Sequence, residues 1–267
     1  MASALFPSYR NCYLPAMTPR QIKALPDKAR APVIVVCGAI EQHGPQLPVA
    51  VDSFLGQVWL ERSLPLLPDG TSCYVAPPLT IGKSNEHVGF PGTLYISKDT
   101  LRAHLFAVAR QIHAWGFRSL AVLHTHGGNF SVTAYTLREI TATYGLRCGV
   151  LAPKTDIKLP EQEQVFGYHA NTVETALLMA EAPQYVDAAA AVCEYAGTVA
   201  TMGRLRAERA PATKAWITAD LSKSGVMGDA TAATPELGRQ WVDESAAALA
   251  QAIAEVAEAG RRDLPPA

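Results

Sequence analysis

The chain has 267 residues, 49% of them hydrophobic and 18% charged, with a formal net charge of −1. This supplies ample material for a globular core and excludes extensive disorder. The lack of a basic excess argues against nucleic acid as a partner. Five widely spaced cysteines with no CxxC pair argue against a disulfide framework or a cysteine zinc site.

In chain order, residues 1–21 carry no charged leader ahead of an apolar core, so no secretory signal is expected. The run PVIVVCGAI at 32–40, β-branched and apolar on both faces, predicts a buried parallel strand. The apolar stretch 31–40 is far short of the ~18–20 residues that span a bilayer, so a cytoplasmic protein off the membrane is expected. Residues 72–79 predict a second strand stopped by Pro77 and Pro78. A helix follows at 99–115, where Leu101, Leu105, Val108, Ile112 and Trp115 form one stripe and Gly116 ends it. Residues 119–124 predict a third strand, 131–144 a helix ended by Gly145, and 146–151 a fourth strand. A helix at 171–181 stops before Pro183. Thr234 and Pro235 start a long alanine-rich helix reaching about 259.

Strands alternating with helices predict an α/β fold, a single-domain three-layer α/β/α arrangement around a mostly parallel sheet. No linker or repeat divides 1–267. Residues 1–30 and 197–230 read as irregular excursions and 261–267 as a frayed tail. Within the second excursion, Arg204, Arg206, Arg209 and Lys214 surround Glu208 and read as a solvated loop.

Open α/β sheets bind ligands beyond the carboxyl ends of their strands. After the first strand come Glu41, His43 and, past a Gly-Pro turn, Asp52. After the second come Ser84, Glu86 and His87. After the third come His126, Gly127, Gly128 and Asn129. Glu41 and His43, two apart in an extended segment, project to one side. A carboxylate such as Asp52 can bridge two ions ~3.5–4 Å apart. Mixed imidazole and carboxylate ligation suits zinc, manganese or iron rather than calcium. The glycines let backbone approach a ligand and present amides at a helix start. Lone motifs of this kind also occur without metal: His124 and His126 could be satisfied strand-end groups, and His104 and His113 have no acidic companions. No GxGxxG, GxxxxGK[ST] or GxSxG follows a strand, so neither nucleotide binding nor a serine nucleophile is indicated.

The segment GAIEQHGPQLPVAVD (38–52) closely resembles the signature of the creatininase (creatinine amidohydrolase) family. GKSNEHVGFPGTLYIS (82–97), HGGN (126–129), HANTVET (169–175) and SGVMGDATAATPELG (224–238) resemble further family segments in order. The likeness runs from about 15 to 255. It implies that Glu41, Asp52 and His126 hold one divalent ion, that His43, Asp52 and Glu174 hold a second, and that His169 shuttles a proton. Ser84, Glu86, His87, Gly127, Gly128 and Asn129 are then the substrate side. The implied function is hydrolysis of a C–N bond in a small cyclic amide or formamide by a metal-bound hydroxide. Lactone or cyclic ketone hydrolysis, a peptidase of a modified peptide, and a non-catalytic ligand-binding relative are the alternatives. The resemblance also implies a homo-oligomer, a hexamer built from dimers. Three departures set the chain apart from creatininase itself and make creatinine a poor substrate. Gly128 stands where creatininase has a glutamate, placing the chain in an HGGN branch. Val165, Phe166 and Tyr168 stand near its covering tryptophan, and His124-Thr125 replaces Asn-Gly.

Overall fold

The computed structural model describes residues 7–153 and 157–262. The first strand, β1 (Val33–Cys37), is buried along its whole length. It is followed by helix α2 (Val51–Ser63), the short strand β2 (Tyr74–Val75) and helix α3 (Lys98–Ala114); a short helix α1 (Pro19–Ala24) precedes it. Strand β3 (Ser119–His124), helix α4 (Phe130–Tyr144) and strand β4 (Arg147–Leu151) complete the sheet. The strands lie in the order β2-β1-β3-β4, all parallel. Helices α5 (Glu161–Phe166), α6 (Thr172–Glu181) and α7 (Pro235–Arg262) follow.

Alternation along the strands divides the core into two layers. Ile34, Val36, Ala121 and Leu123 pack toward α2, α6 and α7, with Leu55, Leu60, Leu178, Leu249 and Ile253. Val33, Val35, Leu120 and Val122 face the other way, against Leu101, Leu105, Ile112, Leu137 and Ile140 of α3 and α4. Helices therefore cover both faces, the arrangement expected from strand–helix alternation. No helix among the described residues is long and apolar enough to cross a membrane.

Two expectations about elements change. The second strand shrinks to two residues, because Pro77 and Pro78 leave only an isolated bridge from Leu79 to Cys37 beyond it. Helix α2 has no counterpart in the sequence reading. It has no side-chain cap, and nine of its residues, from Val51 to Ser63, are buried. A helix buried around most of its circumference shows no apolar stripe against a polar face, so the pattern that reveals amphipathic helices is missing.

The segment 197–230 contains short turns and two-residue ladders. Strand β5 (Cys193–Glu194) pairs antiparallel with β8 (Gly228–Asp229), and β6 (Leu205–Arg206) pairs with β7 (Ala212–Thr213). All five cysteines are free thiols. Of the tail expected to fray, 261 and 262 end α7 and 263–267 lie outside the described residues, as do 1–6 of the N-terminal excursion.

Candidate metal centre

In this sheet the chain leaves β1 toward β2 on one side and returns as β3 on the other. Ligands of open α/β sheets gather at such a reversal, beyond the strand ends. The segment after β1 carries Glu41 and His43, and the segment after β3 carries His126. Asp52 sits in the first turn of α2 rather than on the folded-back turn expected from Gly44-Pro45. Helix α6 adds Glu174 from its own first turn.

Helix α6 starts where it does because Asn171 caps it, accepting hydrogen bonds from the amides of Val173 (3.0 Å) and Glu174 (3.1 Å). The preceding Ala170 is held in the left-handed region (φ 49), which costs a non-glycine residue of order 1 kcal/mol. That turn aims His169 and Glu174 at one centre, and Glu174 Oε2 accepts from the Ala170 amide at 2.6 Å. An Asn171→Ala variant is expected to lose about 1 kcal/mol of stability, a fall of roughly 2–4 °C in Tm for a chain of this size. Thermal melting measures this, and an unchanged Tm would show that the cap contributes nothing.

Two groups of ligand-type atoms share Asp52. Glu41, Asp52 and His126 form one group, and His43, Asp52 and Glu174 the other; within each, the atoms lie within 4.8 Å of one another. His126 Nδ1 is 3.2 Å from both Glu41 Oε2 and Asp52 Oδ2. His43 Nε2 is 3.5 Å from Asp52 Oδ1 and 4.0 Å from Glu174 Oε2. Glu41, His43, Asp52 and His126 are all buried. Glu41 Oε2, His43 Nε2 and Asp52 Oδ2 are buried without a hydrogen-bond partner. Such atoms are costly unless something else satisfies them, and a cation between them would do so.

The electrostatics agree. Burial opposes charge on His126, but the close carboxylates of Asp52 and Glu41 outweigh it and hold its pKa well above the usual imidazole range. For His43, burial is likewise outweighed by Asp52, and the pKa rises to about 9. Burial opposes ionisation of Glu41 too, yet contacts with His126 and His87 bring its pKa well below the usual range. Burial raises the carboxyl of Glu174 to about 7, against the pull of His43, although its side chain keeps 26% exposure. The carboxylates thus favour positive charge on His126 and on His43, one histidine in each ligand group.

Three of the imidazoles are oriented by backbone carbonyls, which can only accept. His43 Nδ1 donates to Glu41 O (3.0 Å), His126 Nε2 to Lys83 O (3.2 Å) and His169 Nε2 to Gln42 O (2.6 Å). The opposite nitrogen of each ring then faces the carboxylates, the usual orientation of metal-binding histidines. His169 lies between His43 (4.2 Å between centroids) and His87 (4.3 Å), with the rings tilted by 42° and 37°. Burial first, and then His43 and His87, push its pKa well below the usual range.

The cluster opens into a cavity of about 530 Å³. Glu41, Asp52, His126, His169 and Glu174 line it; so do Glu86, His87, Gly127 and Gly128. His43 is fully buried behind them. Ser84 and Asn129 are buried and do not reach the wall. Ser84 Oγ lies 3.2 Å from His126 Nε2, and the Asn129 amide ties Gly38 O to the Lys83 amide. Glu86 Oε1 is 3.5 Å from His126 Nε2. The Arg204–Lys214 segment, read as a solvated loop, brings Glu208 and Arg209 to the cavity wall, and Arg209 stacks over the Tyr168 ring at 5.5 Å. Sequence reasoning missed Gln42, Thr218 and Gly225, which contact or border His87 from segments far apart. No spacing rule connects positions 131 or 183 residues away from their partners.

Comparison with known proteins identifies the family and the fold. The family model for creatinine amidohydrolase matches residues 15–253. A mycofactocin precursor peptide peptidase from Mycolicibacterium smegmatis is 31% identical over 213 residues, 78% of each chain. A 3-dehydro-scyllo-inosose hydrolase from Thermotoga maritima is 30% identical over 121 residues, 45% of this chain and 37% of that protein. A mutant creatininase described as of Zn-Zn type superposes with a TM-score of 0.69 at 22% identity, over 96% of this chain and 99% of that one.

Proposed function

The chain belongs to the creatininase family of hydrolases, and from that premise we propose that it is a binuclear metal-dependent hydrolase cleaving an amide C–N bond. The observation that carries this reading is the pair of ligand groups sharing Asp52, with three buried, unpartnered donor atoms facing inward. A cation-free role for such a cluster would leave those atoms unsatisfied.

In this reading Glu41, Asp52 and His126 hold one ion, and His43, Asp52 and Glu174 the other. Imidazole and carboxylate donors suit zinc, manganese or iron, and zinc is the ion named for the fold neighbour above. When bound, two such ions supply a polarised carbonyl and a water acidified to act at neutral pH. The remaining work falls to side chains. His169, with its Nε2 proton committed to Gln42 O, offers Nδ1 to take a proton and pass it to the leaving nitrogen. Gly127, with open space where a Cβ would stand, lets the substrate approach the backbone just ahead of α4, and Gly128 leaves room for Glu86 beside His126. Glu86 flanks the bound substrate.

A second reading, cleavage of an amide within a modified peptide, is favoured by the 31% identical peptidase. The cavity of about 530 Å³ also supports it, since pockets of ~300–1,000 Å³ hold ligands larger than a single small ring. Elemental analysis of protein purified without chelator, paired with a panel of cyclic amides, formamides and short peptides, tests both readings. About two ions per subunit and turnover of one class are expected. Full metallation with no hydrolysis of any class would make the chain a non-catalytic relative. No metal, even after adding zinc or manganese, would end the binuclear reading.

A further inference from the structure

The fourth histidine of the cluster is oriented differently from the other three, and its neighbours decide how. The Gln42 side chain cannot be turned over. Its Oε1 accepts from the Gly44 amide at 2.9 Å, and its Nε2 donates to Gly225 O at 3.1 Å. A backbone amide only donates and a backbone carbonyl only accepts, so both ends of the carboxamide are assigned. The same Nε2 lies 2.9 Å from His87 Nδ1. The Thr218 hydroxyl lies 2.9 Å from that nitrogen as well. His87 Nδ1 must therefore accept, and in the neutral ring the hydrogen sits on Nε2. That nitrogen faces Glu41 Oε1 at 3.4 Å.

We propose that Gln42 locks His87 as a hydrogen-bond donor to Glu41, with the Thr218 hydroxyl adapting to either role, making His87 a positioning residue for a metal-ligating carboxylate. It is then neither a ligand nor a substrate contact. His43, His126 and His169 turn a lone pair inward; His87 turns a hydrogen inward. With Oε1 held by His87, Glu41 presents Oε2, the atom that has no hydrogen-bond partner and lies 3.2 Å from His126 Nδ1. Glu41, Glu86 and His87 also lie close enough together to hold an ion, but an inward N–H removes His87 from that set. The lock depends on Gly225. Its φ of +89 suits glycine, and a Cβ there would overlap Gln42 Oε1. In this way the 197–230 segment helps to orient a ligand that lies beyond β1.

The Glu41 part of this inference rests on the metal reading above; the tautomer part does not. The test is long-range 15N–1H NMR of the full chain with labelled histidine, metal-free and then loaded with zinc. The chain has seven histidines, and the His87 signal is the one lost in His87→Ala. His87 is expected to show the Nε2–H form in both states. In Gln42→Glu, which offers only acceptors, that pure form should disappear. Zinc affinity, read by chelator competition, is expected to weaken about 10–100-fold in His87→Ala and no more than about threefold in His87→Gln, whose amide nitrogen reproduces the donor. An Nδ1–H tautomer in the native protein overturns the proposal. So does loss of the Nε2 hydrogen on zinc loading, with His87→Gln as weak as His87→Ala, because His87 would then be a ligand. If the native protein binds neither zinc nor manganese, the metal reading fails, and the metal-free spectrum still decides the tautomer.

Discussion

Asp52→Ala is expected to empty both metal positions and to lower hydrolysis by about 10³-fold or more. Each of the two ligand groups contains this carboxylate, so one truncation removes a donor from both. The side chain lies between two imidazoles, 3.5 Å from His43 Nε2 and 3.2 Å from His126 Nδ1. Losing the ions removes several kcal/mol of transition-state stabilisation, and each 1.36 kcal/mol is tenfold in rate. Without the carboxylate, the positive charge it favours on His43 and His126 is also unsupported. Elemental analysis of the variant beside the native protein is the direct measurement, with circular dichroism to show that the fold survives. Retention of full metal content and full activity would remove Asp52 from the site. Loss of a single ion would mean that Asp52 serves one group and does not bridge.

Gly128→Ala is expected to weaken metal binding by about 10²-fold, although glycine is not itself a donor. A Cβ at this position would fall well inside contact distance of Glu86 Oε1, Lys83 O and His126 Nε2. Lys83 O is backbone, held by the Lys83–Asn129 and His126–Lys83 hydrogen bonds, and yields little. Glu86 can swing away, but the overlap with Lys83 O is relieved only by shifting the backbone of the 126–128 segment, which carries His126 with it. A displacement of ~1 Å in a constellation of this kind can cost about 10²-fold. Glu86 Oε1 stands in the space that a side chain at 128 would enter. Chelator competition on Gly128→Ala and on the double variant Gly128→Ala with Glu86→Ala separates the causes. Recovery in the double variant would identify Glu86 as the clash. Native affinity in the single variant would mean that the loop gives way freely, and the steric argument would fail.

Much of the scaffold is legible in the chain itself. Residues 119–124 are a strand with the expected bounds, because a short run apolar on both faces suits only a doubly covered parallel strand. Helix α3 shows its stripe from Leu101 to Ile112, and Gly145 ends α4 in the left-handed conformation that glycine adopts without strain. Placement of Glu41, His43 and His126 after strand ends followed from the general rule for open α/β sheets. These features are local, so spacing and residue type suffice to read them.

Other features depended on what the fold brings together. Helix α2 hid its own presence, since a helix buried on most sides has no polar face to set its period. With it went the true setting of Asp52, in a helical first turn rather than a loop. The orientation of the four imidazoles was also invisible in sequence. Which nitrogen faces the carboxylates is set by Lys83 O, Gln42 O and Glu41 O for three of them, and by a side-chain amide for His87. The sequence by itself determined the layered fold and the donor types at the strand ends, because these follow from local periodicity. The family resemblance already implied the two donor groups; only the tertiary structure decided how closely their atoms lie, which nitrogen each ring presents, and that Thr218 and Gly225 border the same histidine. Most of those relations are contacts across 43 to 183 positions of chain, and chain spacing carries no record of them.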